Sequence, residues 1–386
     1  MTASIALPRI LRVGAGASAE LAGVLDSLKL SRPLLVSDPF VVERPFFQAL
    51  LADLKEAGLS PGVFAETVPD PTSTVVEEGV RALREGGFDS VVGVGGGSPI
   101  DTAKAVALLS THGGRMRDYR TPVVTDALAL PVVAVPTTAG SGSECTRYSV
   151  ITDAETGERM LCAGLAMLPR AALVDFELTL DVPPRLTADT GLDALTRAIE
   201  AYVSARANPV SDGLAREAMR TVFTHLRAAY AEPGDRPARE ALMVGAAQAG
   251  MAFSNSGAAL VHGMSRPVGT HFGVAHGLSN AMLLPTLTEF SVPSAPDRYA
   301  ECARAMGLAG PNSTDGEATG ALVWELRLLN QDLEVPTPRG HGISAERWWG
   351  LAPLMAEQAL ASEEAADGPR MPTVEEAVEL YHAVYG

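Results

Sequence analysis

Two glycine-rich segments and a handful of polar side chains carry the chemistry in this sequence. Ser90–Val91–Val92–Gly93–Val94 leads into Gly95–Gly96–Gly97–Ser98–Pro99–Ile100–Asp101, followed by the helical run Thr102–Leu109. Glycines after a strand let the backbone approach a pyrophosphate closely, and the N–H groups opening the next helix can bind its charge. The run is not GxGxxG, and by itself it equally suits a tight strand-to-helix connection. Pro136–Thr137–Thr138–Ala139–Gly140–Ser141–Gly142–Ser143–Glu144 follows another apolar strand and offers hydroxyl and backbone groups to a polar cofactor. Two such loops at the C-terminal ends of parallel strands lie where open α/β sheets bind ligands, and together they point to a nucleotide. Asp38 follows the strand Leu34–Ser37. Its carboxylate can accept from an adenosine ribose and would repel a 2′-phosphate, although an Asp ahead of Pro39 also suits an ordinary turn. Gly14–Ala15–Gly16 reads as a turn into the first helix.

The second half carries a different set. Leu192, Leu195, Ile199, Tyr202 and Val203 mark one helix face, and Asp193, Arg197 and Glu200 lie on another. An Asp–Arg pair at i,i+4 is by default a surface ion pair worth about 0.2–0.5 kcal/mol. His262 and Arg266 stand one turn apart, and His276 follows in a glycine-flanked segment. A lone histidine in an apolar stretch is ordinarily a core residue. Two histidines around a Gly/Pro-interrupted connection, with a helical Asp, are also the types that make an oxygen/nitrogen metal set. Spacing leaves both readings open.

The elements that position these residues fall into two halves. Pro33–Ser37, Ser90–Val94, Pro131–Val135 and Ala171–Asp175 are short branched runs alternating with helical patterns, which predicts a parallel sheet covered on both faces. After Asp181–Val182–Pro183–Pro184 nearly everything reads as helix: Thr187–Ser204, Pro209–Ala229, Pro237–Met251, a stretch around Gly257–Arg266 and further amphipathic segments. Tandem prolines suit a domain boundary. The expected division is 1–182, an α/β Rossmann-like nucleotide-binding domain, and 183–386, an all-helical metal and substrate domain. Gly310–Asp315 and Asp367–Pro372 read as exposed connections, and no internal repeat is present.

Composition narrows the function classes. The 386 residues carry 30 Lys+Arg against 46 Asp+Glu, net −16, and 47% are hydrophobic, enough to bury a large core. An acidic chain without a basic run repels phosphate backbones, so nucleic acid is not an expected partner. No apolar run reaches the roughly 18–20 residues that span a bilayer, and no cleavable signal is evident at the N-terminus; membranes are excluded and a cytoplasmic location is expected. Cys145, Cys162 and Cys302 lack CxxC spacing and read as plain thiols.

In this order, the segments resemble the iron-containing (group III) alcohol dehydrogenase family. The resemblance runs through Gly95–Asp101, PTTAGSGSE (Pro136–Glu144), LVDFELTLDVPPRLTADTGLDALTRAIEAYVS (Leu173–Ser204), ANPVSDG (Ala207–Gly213) and LVHGMSRPVGTHFGVAHGLSNAMLLP (Leu260–Pro285). It implies the dehydroquinate synthase-like architecture, a Rossmann-like domain plus an all-α domain with a catalytic cleft between them. It also implies hydride exchange between a nicotinamide cofactor and a small alcohol, aldehyde or ketone in a homodimer. Gly95, Gly96, Gly97, Ser98 and Asp101 would hold the pyrophosphate end. Thr137, Thr138, Ser141 and Arg159 would line the cofactor, and Asp38 would favour NAD over NADP. Asp193, His262 and His276 match three of the family's four metal ligands.

The fourth does not match. Where the family motif reads DALTHAIEAY, this chain has Arg197 in the place of the ligand histidine, and a guanidinium has no lone pair to donate. Arg266 stands where a histidine is often found, and Arg159 where a lysine is expected. The remaining two-imidazole, one-carboxylate set suits Fe(II) or Zn(II) in principle, weakened by the lost donor and the added cation. In a metal-independent version, as in the related maleylacetate reductases that act on an acidic ketone, Arg197 or Arg266 would meet the oxyanion or a substrate carboxylate and His262 or His276 would supply the proton. Arg159, Arg197 and Arg266 would then make a locally basic pocket suited to an oxo-acid. A catalytically silent nucleotide-binding relative is the alternative from another class. The dehydroquinate synthase-like cyclases share the architecture, without their phosphate-binding side chains being recognisable here.

Overall fold

The computed structural model describes residues 2–386. It divides into two compact units, Ala6–Asp181 and Val182–Gly386, the second including the residues up to Ile5. The first unit contains β1 (Ile10–Val13), α1 (Leu21–Ser27), β2 (Pro33–Val36), α2 (Pro39–Val42), α3 (Pro45–Glu56), β3 (Gly62–Phe64), α4 (Ser73–Gly86), β4 (Ser90–Gly95), α5 (Gly97–His112), β5 (Val132–Pro136), β6 (Tyr148–Thr152), β7 (Arg159–Ala163) and β8 (Ala171–Val174). Six strands form one parallel sheet in the order β1-β8-β5-β4-β2-β3.

Alternation across this sheet explains the branched runs. Leu34, Val36, Val91 and Val132 face a core shared with Val80 of α4 and Val106 and Leu108 of α5. Leu35, Val92, Val94, Val133 and Val135 face the opposite core with Leu25 of α1 and Phe47 and Leu54 of α3. Both faces are dry, as a parallel sheet requires. The four strands expected from sequence are present; β1, β3 and the antiparallel hairpin β6–β7 were not among them. β3 has only three residues, and β1 at the sheet edge has an exposed end, so neither carries a continuous apolar signal.

Topology also places the loops. The chain moves outward in one direction from β2 to β3, and in the other from β4 to β5 and β8. The carboxyl ends of β2 and β4 therefore flank the switch point at which such sheets bind ligands. Asp38 follows the first of these strands and Gly95–Ser98 the second.

The second unit is helical: α6 (Pro184–Val203), α7 (Pro209–Ala231), α8 (Arg236–Ser256), α9 (Leu260–Phe272), α10 (His276–Ser291), α11 (Pro296–Ala305), α12 (Asp315–Asp332), α13 (Ala345–Leu360), α14 (Glu363–Ala366) and α15 (Val374–Val384). The stretch expected as one helix around Gly257–Arg266 is broken at its start. Gly257 ends α8 at φ +117°, and α9 begins at Leu260. The expected exposed connection Gly310–Asp315 is exposed apart from half-buried Ser313. Asp367–Pro372 is mostly half-buried, because Asp367 accepts the backbone N–H of Ala205 and pairs with Arg206 at 3.0 Å.

α6 packs against α7, α8 and α10, so its polar side chains are enclosed along with its apolar ones. Its first turn is held by Arg239 of α8, only 2% exposed, which donates to Thr187 Oγ1 (2.7 Å), Val182 O (3.0 Å) and Pro233 O (2.9 Å). Arg239→Met removes these donors and leaves buried acceptors unsatisfied. It is expected to cost about 2–4 kcal/mol, read as a lowered urea midpoint.

Candidate functional site

In the α/β unit the two glycine-bearing loops lie side by side. Gly95 at φ +145° turns the chain out of β4, and a Cβ there would meet Pro99 Cγ at 2.6 Å. A Cβ on Gly97 would stand 3.1 Å from Ser141 Oγ, and one on Gly96 would stand 3.4 Å from Thr138 Oγ1. Thr137 N–H donates to Gly95 O at 2.9 Å, tying the loops together. α5 starts at Gly97 with no side-chain cap, so its first N–H groups are not taken by a capping side chain. This is a cradle of backbone donors and small residues that fits a pyrophosphate.

Carboxylates hold the cradle in place. Asp101 accepts from Ser143 Oγ (2.8 Å) and from the N–H of Val150 (2.9 Å), so its oxygens are committed to the loop instead of facing outward. Lys104, one turn on and fully buried, donates to Tyr148 O (2.7 Å) and Thr146 O (3.1 Å). Asp38 caps α2 through Oδ1, which accepts from Phe40 and Val41, while Oδ2 stays outside the cap. Arg159 on β7 pairs with Asp70 at 2.5 Å.

In the helical unit Asp193, His262 and His276 bring their ligand atoms within 4.8 Å of one another. Asp193 Oδ1 is 3.6 Å from His262 Nε2 and 3.7 Å from His276 Nε2. His262 is aimed by Glu200, whose Oε2 lies 2.5 Å from Nδ1 and whose Oε1 accepts the N–H of Val261. A carboxylate behind a histidine in this way fixes its ring and directs Nε2 into the centre. Asn280 of α10 places Nδ2 at 2.7 Å from Asp193 Oδ1 and 3.4 Å from Nε2 of each histidine. Glu200 and Asn280 were not among the expected site residues. Their signal was helical spacing: Glu200 continues the Asp193–Arg197 stripe by one turn, and Asn280 lies one turn after His276.

Arg197 enters the same centre. Its Nε donates to Asp193 Oδ2 at 3.2 Å, its Nη2 lies 3.4 Å from His276 Nε2, and its guanidinium rests 4.8 Å from the Phe253 ring centroid. The default reading of a surface ion pair is therefore corrected: the Asp193 and Arg197 side chains are 5% and 11% exposed, because α6 is enclosed. Burial alone would raise the Asp193 carboxyl, but Arg197, His276 and His262 outweigh it and hold it far below the usual carboxylate range. Burial likewise disfavours the charged His262, yet Glu200 and Asp193 outweigh it and raise the imidazole above its ordinary value.

The three arginines expected in a basic pocket stand in different surroundings. Arg159 is matched by Asp70 and Arg197 by Asp193, so two of the three guanidiniums already have carboxylate partners. Arg266 lies half-buried on α9, one turn beyond His262. Cys145, Cys162 and Cys302 are buried and form no disulfide. Among the described residues, no helix is long and apolar enough to cross a membrane.

One unit is a parallel α/β fold with a candidate phosphate cradle, the other is helical and carries an Asp/His/His group, and the two together are the parts of a nicotinamide-dependent oxidoreductase. Residues 8–176 match the family described as iron-containing alcohol dehydrogenase, and residues 187–385 match its C-terminal family. The chain belongs to the iron-containing alcohol dehydrogenase family and is an NAD(P)-dependent oxidoreductase acting on CH–OH groups. It is 39% identical over 345 residues to long-chain-alcohol dehydrogenase 1 of Geobacillus thermodenitrificans (strain NG80-2), covering 88% of this chain and 87% of that protein. Lactaldehyde reductase of Escherichia coli (strain K12) is 34% identical over 375 residues, covering 96% and 97%. A crystal structure of 1,3-propanediol oxidoreductase superposes with a TM-score of 0.96 at 32% identity over the whole of both chains. Sulfoacetaldehyde reductase from Bifidobacterium kashiwanohense in complex with NAD+ gives 0.89 at 28% identity, covering 100% of this chain and 99% of that one.

Next to His276, α10 touches α6 so closely that a Cβ on Gly277 would stand 2.4 Å from Asp189 O. Gly277→Ala must push the start of α10 away and shift His276. Because a misplacement of about 1 Å can cost about a hundredfold in rate, kcat is expected to fall by roughly that factor while NADH binding, measured by fluorescence, stays unchanged.

Proposed function

We propose that the protein interconverts a small uncharged alcohol and its aldehyde or ketone with NAD, at a centre where Arg197 supplies the fixed positive charge. The observation that carries this is the guanidinium lodged between Asp193 Oδ2 and His276 Nε2. The donor set does not fit a divalent ion as it stands. Both oxygens of Asp193 already accept N–H groups, from Asn280 and Arg197, and the position of the fourth ligand holds a permanent cation.

In this reading residues 1–182 hold the dinucleotide: Gly95, Gly96, Gly97 and Ser98 at the pyrophosphate, Thr137, Thr138 and Ser141 beside it, and Asp38 Oδ2 at the ribose. Asp101 and Arg159 brace the surrounding segments. The NAD-bound relative among the solved structures supports the choice of dinucleotide. When bound, the nicotinamide supplies or accepts the hydride.

Residues 183–386 meet the substrate oxygen. As a carbonyl is reduced, negative charge grows on that oxygen, and a preorganised guanidinium N–H in a largely buried site stabilises it. His276 is the imidazole placed to exchange the proton, because its side chain is 27% exposed against 3% for His262. His262, locked by Glu200, keeps Asp193 and His276 in register.

Protein purified without chelators is expected to hold far less than one Fe or Zn per chain by elemental analysis and to keep its activity in EDTA. Arg197→His restores a fourth neutral donor and should raise divalent-metal affinity by more than about a hundredfold, since even partners outside the ligand shell are worth about 10–100-fold. Stoichiometric metal in the unmodified protein, with activity lost on chelation, would sink the proposal. Because Arg159 and Arg197 are already ion-paired, small neutral aldehydes should exceed oxo-acids in kcat/KM by about tenfold or more, on the order of 1.4 kcal/mol; the reverse order would favour the oxo-acid reading.

A further inference from the structure

A three-donor centre whose carboxylate oxygens are already taken by N–H groups needs something other than an ion to hold its groups together, and one side chain stands at their meeting point. Asn280 is completely buried. Its Nδ2 donates to Asp193 Oδ1 at 2.7 Å and is equidistant, at 3.4 Å, from Nε2 of His262 and His276. Its Oδ1 is buried and makes no hydrogen bond. An amide that leaves one end unsatisfied in order to place the other among three donors is there for those donors, because a buried orphan acceptor costs stability.

We infer that Asn280 is the positioning residue of this centre, its amide nitrogen standing where a cation would otherwise tie Asp193, His262 and His276 together. The inference rests on the metal-free reading above. Asn280 cannot act on substrate directly, since no part of it reaches the surface. It acts through Asp193, whose Oδ1 it holds while Oδ2 is left to Arg197, and so it fixes the direction in which the guanidinium is presented. Arg197 supplies the charge and Asn280 the geometry.

The test uses two variants of the full-length protein. Asn280→Ala empties the meeting point. It is expected to lower kcat by about a hundredfold while KM for the carbonyl substrate and the NADH dissociation constant stay within about twofold. A purely structural role would instead lower the melting temperature and leave kcat intact well below it, and that outcome overturns the inference. Asn280→Asp is nearly isosteric and puts a carboxylate at the same point beside Asp193, His262 and His276. It is expected to bind one Co(II) per chain, seen as visible ligand-field absorption under conditions where the unmodified protein shows none. If Asn280→Asp binds no more Co(II) than the unmodified protein, Asn280 is not at the meeting point and the inference falls, even when Asn280→Ala does not fold. Failure of the metal-free reading is distinguishable: the unmodified protein would itself carry stoichiometric metal.

Discussion

A guanidinium cannot give up its proton, and much of the helical unit's chemistry follows from where α6 puts one. Arg197 sits one turn after Asp193 on a helix enclosed by α7, α8 and α10, so both charges are largely shielded from solvent. Removing one partner of a buried pair typically costs about 3–5 kcal/mol, because the other is left uncompensated. The surroundings answer that constraint: Asn280 satisfies the second oxygen of Asp193, the Phe253 ring lies beside the guanidinium, and His276 is the polar neighbour on its remaining side. In the metal-free reading, an arginine in the place of a ligand histidine supplies a covalently fixed charge where a metal site would hold a removable ion.

The fold was readable where burial is symmetric. β2, β4, β5 and β8 are dry on both faces and appear in the sequence as unbroken branched runs. The loops at their ends inherit position from topology, which is why the Gly95–Ser98 and Pro136–Glu144 segments pointed to a cradle before any side chain was placed. Legibility failed where the environment departs from the local pattern. α6 looks amphipathic, with a polar stripe that by itself predicts a solvated face. Its packing partners cover that stripe, so the Asp193–Arg197 spacing was visible while its burial was not. Asp101 sits in a motif that suggests ligand contact, yet its carboxylate is consumed by Ser143 and Val150, segments more than forty residues away in the chain. Long-range partners of this kind leave no trace in spacing. Glu200 and Asn280 were hidden for the same reason, although each lies on a helical stripe with a residue that was singled out.

The candidate cradle of the α/β unit contains little side-chain chemistry. Its donors are backbone N–H groups, and its shape comes from missing Cβ atoms at Gly96 and Gly97, where Thr138 and Ser141 fill the space. The ionisable groups nearby are mostly spent on the scaffold: Lys104 and Asp101 clip α5 to the loop, and Asp38 caps α2 with one oxygen while keeping the other in reserve. The overall charge of −16 is thus not contradicted by a local cationic patch around the cradle. Helix ends and loop amides can bind an anion without such a patch.

Charge counting ties the helical centre together. Asp193 and Glu200 are buried carboxylates facing the same imidazole, His262, and together they place two negative charges in a low-dielectric region. In a centre whose fourth ligand is a neutral histidine, a divalent cation would bring the sum to zero. Here Arg197 contributes one positive charge and leaves a deficit of one. Burial disfavours the charged His262, and Glu200 and Asp193 outweigh it and raise the affinity of that imidazole for its proton, the direction that offsets such a deficit. In the metal-free reading, the anionic frame of Asp193 and Glu200 draws its compensating charge from the chain itself, first of all from Arg197.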